Sequence, residues 1–205
     1  MKHYHGYDIR GKLDDDFCLV STPDLLRYVP HGKWLPNPID IRELESITVR
    51  KQEDRTIKIA HYPYYKNYHS NDNYSRILSE IENEKDCNVV RILDLPHTKA
   101  LETIANCDVV VGKILPDVGW FGKFELEGMA LGKPVIAYVH DELYEKYRPP
   151  IYRTTENTFR RDLRSVLDDN TERERLGKEG QIYIKKFHSV ENIVKTVNEC
   201  YSAMN

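Results

Sequence analysis

From Thr56 onward the apolar positions switch repeatedly between a strand-like and a helix-like period. Thr56 to His61 is a short β-rich run, and Tyr74, Ile77, Leu78 and Ile81 follow at helical spacing behind the capping candidates Ser70, Asn71 and Asp72. Asn88 to Leu93 predicts the next strand, and Leu101, Ile104 and Ala105 the next helix, capped near Thr98. Cys107 to Val111 is a third strand; Phe124 to Leu131 reads as a helix stopped by Gly132. Pro134 to Val139 and Ile151 to Thr154 predict strands four and five. Strands and helices in this rhythm imply right-handed crossovers and a parallel sheet covered on both faces. The class expected is α/β, with residues 56–205 as one doubly wound domain.

The two ends have other textures. In residues 1–45, short extended pieces (Phe17 to Ser21, Lys33 to Leu35) are broken by glycines and prolines, which leaves little room for long helix. Thr22-Pro23-Asp24 opens one short helix through Tyr28, and the charged stretch Arg50 to Arg55 reads as a connector. The tail is helical: Phe159, Leu163, Val166 and Leu167 form one stripe, and Thr171 with Glu174 fits a capping box for a second helix. Ser189 starts a third, with Ile193, Val194, Val197, Cys200 and Tyr201 on one face.

Composition narrows the function classes. Thirty Lys and Arg face thirty-three Asp and Glu in 205 residues, a net charge of −3, so no global field or basic stripe invites nucleic acid. The longest apolar run, around Val135 to Val139, falls far short of a membrane span, and the first residues lack the apolar stretch of a secretion signal. The four cysteines stand far apart without metal or redox spacing. A cytoplasmic chain is expected.

Ligands of an open parallel sheet sit beyond the strands' carboxyl ends. Three loops qualify. The one after His61 carries Lys66 before a helix start, a pairing able to neutralise a phosphate, although from that loop alone a solvated lysine is the favoured reading. The one after Leu93, Asp94-Leu95-Pro96-His97, offers backbone to a base edge, with His97 favoured as a simple helix start. The third is the most specific: Gly119-Trp120-Phe121-Gly122 runs into Lys123-Phe124-Glu125-Leu126-Glu127. Two glycines flanking two aromatics before a helix let the amides of Gly122 to Phe124 approach an anion. Glu127, about one turn on, points back toward the same loop and can accept from vicinal hydroxyls.

This segment resembles the carboxyl-terminal lobe of GT-B glycosyltransferases, particularly the large retaining family four (group 1). That family carries Glu, seven residues, Glu, and then an Ala-Met-Ala-like stretch and Gly-x-Pro-Val. Glu127 sits at the second glutamate, which implies a hold on the nucleotide ribose; Gly119 stands where the first would be. Gly128-Met129-Ala130 and Gly132-Lys133-Pro134-Val135 match the continuation, and His61-Tyr62-Pro63 resembles the start of the lobe. The resemblance implies Lys66 and His69 near the basic positions that hold a diphosphate, and Leu95 near the base. Trp120, Phe121, Gly122, Lys123 and Phe124 complete the implied donor site. His3-Tyr4-His5-Gly6-Tyr7-Asp8 resembles a stretch late in the acceptor-side lobe, which makes His5 and Asp8 the catalytic candidates, His5 facing the reacting sugar.

The implied fold is a Rossmann-like GT-B lobe (46–188) with an incomplete second α/β lobe (1–45) and a closing helix (189–205). The implied activity is transfer of a sugar from a nucleotide-diphosphate sugar to a hydroxyl of a glycan, lipid or protein, with no obligatory metal or other cofactor, at a cytoplasmic site open to a peripheral place on a membrane face. A lobe reduced to its late strands would expose an edge and an apolar face, so self-association or a partner chain through residues 1–45 is expected. Two alternatives stand beside the transferase: a nucleotide-sugar-binding subunit that needs another chain for turnover, and a sugar-nucleotide epimerase on the same scaffold.

Overall fold

The computed structural model describes residues 1–47, 56–63, 72–84 and 87–202. The large lobe is a five-stranded parallel sheet of β4 (Ile57–His61), β5 (Cys87–Arg91), β6 (Val109–Val111), β7 (Val135–Ala137) and β8 (Tyr152–Arg153), in the order β5-β4-β6-β7-β8. The helices between and after them are α2 (Asp72–Glu84), α3 (His97–Ala105), α4 (Lys123–Ala130), α5 (Asp141–Tyr147), α6 (Phe159–Asp168) and α7 (Asn170–Phe187). The apolar strands follow from coverage on both faces. Ala60, Val110, Val135 and Ala137 meet Leu101, Ile104, Leu126, Met129 and Ile184 on one side. Ile59, Val109, Val111 and Ile136 meet Leu78, Ile81, Phe159 and Leu163 on the other.

The small lobe is a parallel sheet of β1 (Lys2–Tyr4), β2 (Cys18–Val20) and β3 (Lys33–Trp34), in that order, with a 3-10 helix at Pro23–Tyr28. Its two faces are both covered. Cys18 and Val20 pack with Ile9, Leu25 and Val29; Leu19 and Leu35 pack with Ile193 and Cys200 of α8 (Val190–Ser202), the helix that crosses back from the large lobe. The apolar face expected to lie open is thus covered from within the chain, while the edge strand β1 carries the exposed residues Lys2 and His3.

The sheet and most helices fall where the pattern predicts. β1, α1 (Ile41–Glu45) and α5 are additional. The helix expected to be capped near Thr98 begins at His97 behind Pro96. The cap of α7 is Asp169, whose carboxylate accepts from Glu172 N–H at 2.9 Å, in place of Thr171. The connector Arg50 to Arg55 lies outside the described residues.

Candidate functional site

The chain's direction of travel across the large sheet reverses between β4 and β6. Beyond the carboxyl ends of strands at such a reversal is where open parallel sheets bind ligands. Here those ends deliver Tyr62 and Lys113, and both line a cavity of about 420 Å³ between the lobes. Phe121, Gly122 and Lys123, at the start of α4, line it from the same side. The opposite wall comes from the small lobe, with His5, Tyr7, Arg10 and Asp24.

A buried carboxylate shapes the near wall. Glu125 has no solvent exposure and accepts from Lys113 N–H at 2.6 Å and from Gly122 N–H at 2.8 Å. Gly122 is the N-cap residue of α4 and has no side chain to cap with, so Glu125 reaches back and ties the helix start to the end of β6. Gly112 permits this, because a Cβ there would stand 2.7 Å from Glu125 Oε1. The amide of Gly122 is therefore already taken, and the remaining amides of the helix start, which the helix itself leaves without an acceptor, are those of Lys123, Phe124 and Glu125. Sequence reasoning missed Lys113, whose ammonium lies 2.6 Å from where a Gly122 Cβ would be. Its signal is a lysine directly after a glycine at the end of a predicted strand.

A second pocket, about 180 Å³, opens on the other side of the α4 start. Glu127 lines it with a side chain 10% exposed, its Oε1 lying 2.8 Å from His97 Nε2 and 3.6 Å from Lys123 Nζ. His97 Nδ1 is in turn 3.7 Å from Glu43 Oε1 on α1. His97, expected merely to begin a helix, thus stands between two carboxylates. Lys123 lines both pockets.

The other sequence candidates divide. His5 is exposed at the larger cavity, its ring 4.1 Å from that of His3, whose imidazole is pushed below the usual range by partial desolvation and by His5. Asp8 does not line that cavity; its carboxylate accepts the His5 backbone N–H at 2.9 and 3.0 Å and so holds the turn that presents His5. Trp120 is 2% exposed, stacked on Phe121 at 4.4 Å and set edge-on to Trp34 and Tyr147, which makes it part of an aromatic contact between the lobes. Phe124 touches Tyr62 at 5.9 Å between ring centres. Leu95 is exposed and lines neither pocket; Lys66 and His69 lie outside the described residues. Gly119 has φ +74°, and a Cβ on it would run into the ring of His140, so the imidazole fills the space of a side chain at 119. Among the described residues, no group of three or more His, Cys, Asp or Glu could hold a metal, and no helix is long and apolar enough to cross a membrane.

No protein-family model and no curated protein matches the sequence. Solved structures do. HepE of Anabaena, in complex with UDP and glucose, superposes with a TM-score of 0.66 at 13% identity, over 91% of this chain and 63% of that one. Sucrose-phosphate synthase of Thermosynechococcus elongatus gives 0.63 at 15%, over 93% and 59%. A glycosyltransferase of Rickettsia africae gives 0.59 at 12%, over 97% and 65%. The chain therefore spans 59–65% of the length of these proteins. The chain thus has the GT-B glycosyltransferase fold, with two parallel α/β lobes.

Proposed function

We propose that the chain binds a nucleotide-diphosphate sugar across the start of α4 and transfers its sugar to an acceptor hydroxyl. The observation that carries this is the shared position of Lys123, between a small pocket holding Glu127 and a larger one bordered by His5. A sugar nucleotide has the same order of parts: ribose, diphosphate, sugar. Glu127 would accept from the ribose hydroxyls, the diphosphate would lie on the amides of Lys123 and Phe124, and the sugar would enter the larger cavity. HepE, solved with UDP and glucose, shares this fold, which supports the reading without extending its ligands to this chain.

In the proposed reaction the bond from the anomeric carbon to the diphosphate oxygen breaks and a bond to the acceptor oxygen forms. The acceptor's proton passes to the departing diphosphate, and family resemblance points to retention at the anomeric carbon. The negative charge that develops on the leaving group is met by the ammonium groups of Lys113 and Lys123 and by the amino end of α4, so the reading calls for no metal. His5 would stand beside the sugar, with Asp8 fixing the turn that carries it.

Titration calorimetry with UDP, GDP and their sugars tests the reading. Binding of at least one is expected, and Glu127→Ala should weaken it more than tenfold. An absence of binding to the wild-type chain sinks the proposal. Radiolabelled donor then decides on catalysis, and full transfer by His5→Ala would remove His5 from it. One observation favours a second reading, a binding subunit completed by a partner chain: His140 occupies the space at Gly119 that a carboxylate side chain would need. Nucleotide binding with neither transfer nor slow donor hydrolysis selects that reading.

A further inference from the structure

The small-lobe wall of the larger cavity contains an ion pair that the reading above does not use. Asp24, the second residue of the 3-10 helix, is 3% exposed, and its Oδ2 accepts from Nη2 of Arg10. Both residues line the cavity, together with the hydroxyl residues Ser21 and Thr22. The pair is only half satisfied. Asp24 Oδ1 and Arg10 Nη1 are each buried without a hydrogen-bond partner among the described residues. Leaving both the acceptor and the donor of a buried pair unmet is costly, and such groups in native proteins are normally met by water or ligand.

The chemistry of the two orphans limits what can meet them. A carboxylate oxygen needs a donor and a guanidinium nitrogen needs an acceptor. A hydroxyl is both, so two adjacent hydroxyls satisfy the pair together. A phosphate or carboxylate would set its charge against Asp24, and an ammonium would set its charge against Arg10. The large-lobe wall carries the ammonium groups of Lys113 and Lys123, and the Arg10–Asp24 pair on the facing side is neutral overall.

We propose that Arg10 and Asp24 form a subsite for a neutral vicinal diol, so that the acceptor entering this cavity is an uncharged polyhydroxylated group. The assignment of the diol to an acceptor rests on the transferase reading; the diol subsite itself does not. Saturation-transfer NMR on the full chain, with maltose and glucose 6-phosphate as probes, is run with and without saturating UDP. Maltose is expected to bind at least tenfold tighter than glucose 6-phosphate. Asp24→Asn should lose maltose binding at least tenfold while UDP affinity stays within twofold. Because breaking a buried pair can unfold the lobe, the apolar double variant Arg10→Met with Asp24→Leu provides a second test, with the same loss expected. Equal maltose binding by a folded variant, a preference for the phosphate sugar, or no maltose binding by the wild-type chain overturns the subsite and leaves the pair to water. A wild-type chain that binds maltose but not UDP sinks the donor reading alone.

Discussion

Glu127 and His97 are 30 residues apart in sequence and 2.8 Å apart in space. The imidazole positions the carboxylate that the proposed ribose contact needs, so His97→Ala should weaken UDP binding roughly three- to tenfold, the scale of one ordinary hydrogen bond. His97→Gln, which keeps a donor near that position, should recover most of it in calorimetry; an unchanged affinity in His97→Ala would remove the positioning role. At Gly119, positive φ and the overlying His140 ring act together. Gly119→Ala should cost about 1–3 kcal/mol in urea unfolding. Adding His140→Ala should return part of that loss, since the collision goes and the backbone strain remains; no recovery would show that φ alone sets the cost. Glu127 was legible because a helix start and a one-turn offset place it from local sequence alone. His97, Glu43 and Lys113 were not, because only the tertiary fold brings them to the start of α4.

Elements were read best where burial imposes a period. The valine run of β6 and the stripe of α6 are core positions, and both were predicted. α5 has no buried residue, so it has no apolar stripe to read, and β1 is three largely polar residues held by pairing with β2. The cap of α7 failed for another reason. Thr171 and Glu174 fit a capping box, but Asp169 is the single residue between α6 and α7 and must serve as the junction. Asp169→Ala is therefore expected to lower stability by about 1 kcal/mol. Thr171→Ala should stay within about 0.5 kcal/mol by the same chemical melt, and the reverse ranking would restore the capping box.

Across the whole molecule, His188 connects the lobes: its Nδ1 is 2.8 Å from the carbonyl of Asn37, and its ring meets Trp34 at 6.1 Å and Tyr183 at 5.6 Å. Burial lowers its imidazole from 6.5 to about 4, as it does that of His61. Both are neutral in the fold and free to protonate once unfolded, so the unfolded chain binds more protons between pH 6.5 and about 4. Stability then rises with pH through that window and is fully in place above it. The urea midpoint should fall between pH 7.5 and 5.5, and His188→Gln should remove about half of that slope; an unaltered slope would show that the fold does not hold this imidazole neutral.

The chain passes between its lobes at two points that touch: Ile39 bridges Ser189, with Ile39 N–H donating to the His188 carbonyl at 2.8 Å. A rotation about that line would change the aperture of the cavity while each sheet kept its own packing. What must slide is the aromatic contact, and Trp34 and Trp120, which meet across it at 6.2 Å, are the chain's only two tryptophans. Intrinsic fluorescence would therefore follow such a rotation without a label.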